Sequence, residues 1–490
     1  MEGINLNLKE ISLDPDDWNK YREFAHKAVD LVFDHQMKIA EKKVWQEIPE
    51  NSKNTFLEQL PKNEMPLEDI YSTFKDDILP YTLGNIHPSF FGWVVGQGSP
   101  IQIISSILQA GINTPGGMFE QIPNYIEIQV IDWMKKLFNF GESSSGLLVN
   151  GGSMANYVAL SVARYEKTTF DVLQKGFQTS DQFYTIYCSS ETHLSVYKAT
   201  EQLGFGRDAI RKIKVNEQFE LDVDDLRSQI KSDIDQGYKP ICIVANVGTV
   251  NTAAIDDVDA IADICRENNM WMHVDGAFGA LLILSEKHRD RVSSIDKADS
   301  LAFDFHKWMH INYSAACVLI KDEQSHRNTF SSTADYVSKL GRGVLPVGLK
   351  MFPNYGMELS REFNALKIWM SIKENGTLKF GRLIDQNIEQ AQYLGKIITD
   401  HESLELLAPI SMQIVCFRYH GKLSDEEKIN RLNQEILLQI QEKGMAVPSS
   451  TIISGKYAIR VNITNHRTKR IHLDRLIKNI IDIANELGQN

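Results

Sequence analysis

Three stretches of this 490-residue chain carry residues of the right type and setting to do chemistry. The first is SLAFDFHKWMH, residues 300–310, where an apolar run that reads as a buried strand ends on His306 and Lys307. A lysine at a buried strand end is rare without a partner. Desolvation lowers the pKa of such an amine and makes it a nucleophile. The ordinary alternative is a buried stem whose head reaches water, and for Lys307 alone that arrangement is slightly the commoner. The second stretch is WMHVDGAFGA, in which Asp275 interrupts an apolar strand. A carboxylate there is costly unless it is paired, either to an arginine of the protein or to a cationic ligand atom. Gly276, Ala277 and Gly279 leave room beside it for something flat. The third is NGGSMAN, residues 150–156. Gly151 and Gly152 free the backbone for close approach, and Ser153 can cap the following helix and offer its hydroxyl. A helix N-terminus suits a phosphate, although a plain strand–helix turn with a serine cap explains the same residues. His193 in SETHLS and Thr249 in GTVNT follow two further strands, and each taken singly reads as a cap or a turn.

The combination is more specific than its parts. A phosphate cradle, a carboxylate beside a flat space and a strand-end lysine follow one another along one chain. Pyridoxal phosphate needs those three partners: an anion site, an acid for its pyridinium nitrogen and a lysine for its aldehyde. Two other patterns are set aside. GFGRDA, residues 204–209, matches a dinucleotide fingerprint but follows a helix rather than a strand. His306 and His310 stand four apart with no intervening glutamate and no third ligand nearby, so no metal is expected.

The elements that must position these groups are legible as a pattern. From residue 146, short apolar strands alternate with amphipathic helices: GLLVN, FYTIYCS, AIRKIKV, ICIVANV, MWMHVDG, SLAFDF and AACVLIK are the strands. Strands apolar throughout and separated by helices imply an α/β fold with a mostly parallel sheet covered on both faces. The closely spaced last two are candidates for antiparallel pairing. In such sheets ligands bind beyond the carboxyl ends of the strands, where all the candidate groups fall. Residues 1–85 read as a helical segment, with Asp14 as an N-cap and Pro15 in the first turn. HPSFF opens a large unit over 86–360, and residues 361–490 read as a smaller α+β unit of long helices and three strands.

Bulk properties narrow the class. Apolar residues make up 43% and charged residues 24%, as in ordinary globular proteins. A net charge of -12 without a basic stripe argues against nucleic acid. The N-terminus lacks the pattern of a signal peptide, and no apolar run is long enough to span a membrane. Five scattered cysteines, an odd number, point to reduced core thiols and a cytoplasmic location.

HPSFF, GGSMAN, HVDGAFG and HKW, in this order and spacing, resemble the group II pyridoxal-phosphate decarboxylases over nearly the whole chain, most closely the bacterial, tryptophan-decarboxylase-like members. The resemblance implies a fold-type I, aspartate-aminotransferase-like architecture and a homodimer with interface active sites, clasped by the N-terminal helices. It implies that an L-amino acid, aromatic rather than acidic, is decarboxylated to its amine. An acidic substrate, transamination or aldehyde formation are the alternatives. By the resemblance Lys307 would hold the cofactor covalently, Asp275 would meet the ring nitrogen, and His193 and Ala277 would sandwich the ring. Gly152, Ser153, His306 and Asp304 would serve the phosphate, with Thr249 as a further contact. Relatives often have Asn-Pro before His-Lys; here the pair is Asp304-Phe305, and an acid beside a phosphate must be protonated or turned elsewhere. Tyr336, in the Gly- and Ser-rich STADYVSKLGRG, would be the loop tyrosine that protonates the substrate carbon. Phe90, Phe91, Trp93 and Phe119 lie in segments that would line an aromatic pocket, or fill the core, and Arg361 would meet an acidic substrate or stabilise the site.

Overall fold

The computed structural model describes residues 11–178, 180–331 and 341–488. These fall into two units, one from the described part of Met1–Lys43 with Glu47–Thr82, the other from Val44–Gln46 with the described part of Leu83–Asn490. The smaller unit is helical. Its longest helix, α1 (Trp18–Met37), buries none of its residues. It is capped by Asp17, which accepts from the Asn19 and Lys20 amides, and not by Asp14. Asp14 lies four residues before the helix begins at Trp18, and its own amide donates to the Ser12 hydroxyl at 3.1 Å.

The larger unit opens with β1 (Phe90–Phe91), α2 (Ile101–Ile112) and α3 (Ile122–Leu137), then alternates. Its strands are β2 (Ser145–Val149), β3 (Tyr184–Ser189), β4 (Ile210–Ile213), β5 (Lys239–Asn246), β6 (Trp271–Asp275), β7 (Ser300–Asp304) and β8 (Ala316–Ile320). The helices between them include α4 (Gly152–Lys167), α5 (Leu194–Gln202), α6 (Val223–Asp235) and α7 (Val258–Glu267). These seven strands form one sheet in the order β2-β8-β7-β6-β5-β3-β4. The neighbours from β7 to β4 are parallel, while β8 runs antiparallel to both β7 and β2. Every residue of β2, β3, β6, β7 and β8 is buried, as continuous apolar runs require when helices cover both faces. The fold is of the expected α/β, fold-type I kind.

After β7 the chain makes a single turn of helix, α8 (Phe305–Trp308), so Lys307 sits just past the strand rather than on it. Trp308 anchors that turn: it is fully buried, stacks edge-on to Phe278 and donates its indole N–H to Asn387 at 3.0 Å. The C-terminal part carries α9 (Asn364–Thr399), broken at Gly376 (φ 65°, ψ 160°). It continues with β9 (Leu404–Leu406), β10 (Ile414–Tyr419), α10 (Glu426–Glu442), β11 (Val447–Ile453), β12 (Lys456–Asn462) and α11 (Arg470–Gly488). Its five-stranded sheet runs β1-β11-β12-β10-β9. The strand Phe90–Phe91, read as the opening of the large unit, therefore pairs parallel with β11 of the C-terminal sheet.

That crossing brings residues 92–96 against the α8 turn. A Cβ on Gly96 would lie 1.6 Å from the His306 carbonyl oxygen, so only glycine fits. Gly96→Ala is expected to push α8 off its seat, costing about 1–3 kcal/mol by overpacking or more, because the opposing atom is backbone. Thermal unfolding and cofactor retention check it, and both are expected to fall.

Candidate active site

The carboxyl ends of the strands enclose a cavity of about 380 Å³. His193, Asp275, Ala277, His306 and Lys307 line it together, so five of the candidates meet in one place. They arrive from three strand ends: His193 caps α5 after β3, Asp275 closes β6 with Ala277 just beyond it, and His306 and Lys307 follow β7.

Asp275 is buried, and its charge is met by N–H groups. Asn156 Nδ2 donates at 2.8 Å and the Ala277 amide at 3.2 Å. Lys307 Nζ lies 3.0 Å from Asp304 Oδ2. Burial opposes the charge on this amine, but Asp304, with Asp275 further off, outweighs it and holds the ammonium above its ordinary range. The other Asp304 oxygen, Oδ1, is buried without a hydrogen-bond partner. Burial pushes the His193 imidazole below its ordinary value, so the ring is neutral at pH 7. Its Nδ1 accepts from the Ser195 amide at 3.2 Å and lies 2.7 Å from Ser195 Oγ, which leaves the proton on Nε2. His306 commits Nδ1 to the Ala315 carbonyl at 2.9 Å and lies tilted against Tyr313, with ring centroids 4.5 Å apart.

The cradle adjoins this cavity. Gly151 is the cap of α4, at φ 107°, and no side chain caps the helix. Ser153 is already inside the first turn, so the serine cap expected from the sequence does not form. First-turn N–H groups are thereby left to a ligand. A Cβ on Gly152 would come within 3.0 Å of Asp304 Oδ2, so the acid stands directly under the cradle and turns towards Lys307.

Other candidates are positioned differently. Thr249 is not on the cavity wall: its hydroxyl accepts from the Ala254 amide at 3.0 Å and lies 3.1 Å from Thr252 Oγ1, closing its own turn. Of the aromatic residues proposed for a pocket, only Trp93 lines the cavity; Phe90 and Phe91 are buried in β1, and Phe119 lies elsewhere. Arg361 is paired with Glu127 at 3.0 Å and also donates to the Leu148 carbonyl, a structural role. Tyr336 lies outside the described residues. Sequence reading passed over Arg460, Tyr313 and Asn246, all on the wall. Arg460 carried the same signal as Asp275, a charge inside the apolar strand YAIRVNIT.

Residues 49–420 match the profile of the pyridoxal-dependent decarboxylase conserved domain. The aromatic-L-amino-acid decarboxylase of Bacillus atrophaeus is 33% identical over 495 residues, covering 99% of this chain and 98% of that one. The chain belongs to the pyridoxal-dependent decarboxylase family. The phenylacetaldehyde synthase of Arabidopsis thaliana is 26% identical, covering 97% of this chain and 98% of that one. The crystal structure of Oryza sativa TDC with PLP and tryptamine shares the fold, with a TM-score of 0.89 at 21% identity over 97% of this chain and all of that one.

The residues fit the cofactor of this pyridoxal-dependent decarboxylase. An uncapped helix start with a left-handed glycine offers N–H groups to a phosphate, Asp275 offers a carboxylate, and Lys307 offers an amine on the same wall.

The decarboxylase also buries neutral histidines around this frame. His273 lies behind Asp275 with its pKa lowered to about 4, and His326, between Ser145 and the Tyr355 carbonyl, is lowered to about 3, both chiefly by burial. In the unfolded chain both titrate near 6.5, so it binds more protons below that pH and stability is lost as pH falls towards 4. His273 alone accounts for about 3 kcal/mol at the limit. Asp256, raised to about 6 by burial, acts in the opposite sense between about 4 and 6, as one group against two. The urea midpoint of the apoprotein is expected to fall from pH 7 to pH 4.5, and His326→Gln is expected to flatten that slope.

Proposed function

We propose that this enzyme removes the carboxylate of an aromatic L-amino acid and releases the corresponding amine and carbon dioxide. The observation that carries the substrate is Arg460. It is buried on the cavity wall, its Nε, Nη1 and Nη2 atoms donate to the Asn251 carbonyl, Ser449 Oγ and the Val250 carbonyl, and no carboxylate pairs with it among the described residues. Burial lowers its pKa to about 10, so the site favours an anion against it. An amino acid supplies one carboxylate for that cation. Trp93, Val94 and Phe278 supply apolar wall for the side chain. An acidic substrate would need a second free cation, and Arg361 is already neutralised by Glu127.

Bound pyridoxal phosphate would supply an electron-withdrawing ring that accepts the electrons left by departing carbon dioxide. The protein's groups do the rest. Asp275, kept as an acceptor by Asn156 and the Ala277 amide, would hold a proton at the ring nitrogen. The neutral face of His193 and the small Ala277 would confine a flat ring between them. Asp304 Oδ2 is poised to take the Nζ proton that Lys307 must lose before its amine can attack an aldehyde. That gives Asp304 a proton-handling role beside the phosphate rather than a phosphate contact. Gly152, Ser153 and His306 would hold the phosphate, and Thr249 would support the turn beside it. His193 Nε2 and Tyr336 are the candidate donors that return a proton to the substrate carbon.

Two copies would complete the site. Ile104, Ile107, Leu108 and Ile112 form an exposed apolar face on α2, and α1 has no buried face of its own, which supports a dimer with an N-terminal clasp. The five unpaired cysteines suit a reducing compartment such as the cytoplasm. No described helix is long and apolar enough to cross a membrane.

The experiment is a panel of all common L-amino acids with the purified holoenzyme, read by mass spectrometry for amines and by carbon dioxide release. Aromatic amino acids are expected to yield amines. Amines from aspartate or glutamate alone would overturn the substrate reading, and aldehyde with hydrogen peroxide would overturn the reaction. Arg460→Gln is expected to raise KM about ten-fold or more, the worth of one charge-assisted contact.

A further inference from the structure

Behind Asp275 lies a line of buried polar groups that the reaction scheme does not use. Trp271, His273 and Asp275 alternate along β6, so all three side chains share one face of the sheet. In the register of β6 and β7, His273 pairs with Ser300. The Trp271 indole N–H donates to Ser300 Oγ at 2.8 Å. Ser300 Oγ lies 2.9 Å from His273 Nδ1, and His273 Nε2 lies 2.9 Å from Asn156 Oδ1. Asn156 Nδ2 donates at once to Asp275 Oδ2 at 2.8 Å and to Ser195 Oγ at 3.0 Å. Ser195 Oγ meets His193 Nδ1 at 2.7 Å.

The direction of this chain is forced at both ends. An indole N–H only donates, so the Ser300 hydroxyl receives from Trp271 and keeps its own proton for His273 Nδ1, which a neutral ring facing the Asn156 oxygen through Nε2 leaves as an acceptor. A neutral His273 must then carry its proton on Nε2. The amide oxygen of Asn156 only accepts, so its NH₂ group points away, towards Asp275 and Ser195. Ser195 in turn donates to His193 Nδ1. None of the five residues from Trp271 to Asp275 is more than 5% exposed, so water does not compete. The charged group that bears on His273 is Asp275, and burial keeps the ring neutral against it.

We propose that Trp271, Ser300, His273 and Asn156 form a one-way hydrogen-bond chain that sets the proton pattern of two cavity groups, Asp275 as pure acceptor and His193 with its proton on Nε2. His273 and Asn156 are positioning residues: neither lines the cavity. Flipping the Asn156 amide, which a His273 protonated on Nδ1 would favour, turns an oxygen lone pair towards Asp275 in place of a donor.

The proposal rests on the pyridoxal-phosphate reading of the cavity, and its test separates the two. Nitrogen-15 NMR of histidine-labelled apoprotein reads the tautomer of His273, assigned by its loss in His273→Gln, with no cofactor present. The expected result is a neutral ring protonated on Nε2 down to about pH 5. Ser300→Ala removes the donor that meets His273 Nδ1. It is expected to weaken binding of pyridoxal phosphate to the apoprotein roughly ten-fold and to shift the pH midpoint of the bound cofactor's absorbance, while the melting temperature moves by only a few degrees. An Nδ1-protonated His273 in the wild type, or a folded Ser300→Ala protein with unchanged affinity and midpoint, would overturn the chain. Failure of any form to bind pyridoxal phosphate, with the tautomer as expected, would instead contradict the cofactor reading.

Discussion

Everything at the cavity depends on keeping one carboxylate, Asp275, inside a sheet that excludes water. A buried acid without donors is expelled or neutralised. Here a side-chain amide from α4 and a backbone amide from the next turn meet it. The sheet supplies the other requirement. Because β6 and β7 are parallel neighbours, their carboxyl ends open on the same edge, and the groups that follow them fall within one small cavity. The α/β architecture is thus the device that holds an acid and an amine close together while leaving room between them.

The same economy governs Lys307. Its ammonium is held by Asp304, which the chain places in the last residue of β7 and beneath the glycines that begin α4. A phosphate at those glycines would bring negative charge to an acid that is already short of donors, since one of its oxygens has no hydrogen-bond partner. Loading the cofactor and moving a proton off Lys307 would therefore be coupled through one carboxylate. The Trp308 anchor and the tight seat of Gly96 hold the α8 turn in place.

Much of this was legible before any coordinates. The alternation of apolar strands with helices gave the parallel sheet, because fully buried strands have to be apolar on both faces. Asp275 and Lys307 stood out as charges in apolar runs. What escaped were features set by long-range pairing. Phe90–Phe91 joins the C-terminal sheet through a partner more than 350 residues away, which no local pattern encodes. The Asp17 cap displaced Asp14 because both acids fit the same rule and only the backbone path decides between them. Thr249, a turn when read alone and a cofactor contact only by the resemblance, has its hydroxyl engaged in its own turn. Arg460 carried the right signal but lay among strands taken for a supporting domain, so its reach into the cavity was invisible.

The central claim is that Lys307 is the amine that holds the cofactor, on the cavity it shares with Asp275. Borohydride treatment of the holoenzyme fixes pyridoxal phosphate to whichever lysine carries its aldehyde, and peptide mass spectrometry then locates the label. The account predicts one pyridoxyl-phosphate adduct, on the peptide containing Lys307. A label on a different lysine, with Lys307 unmodified, would contradict it.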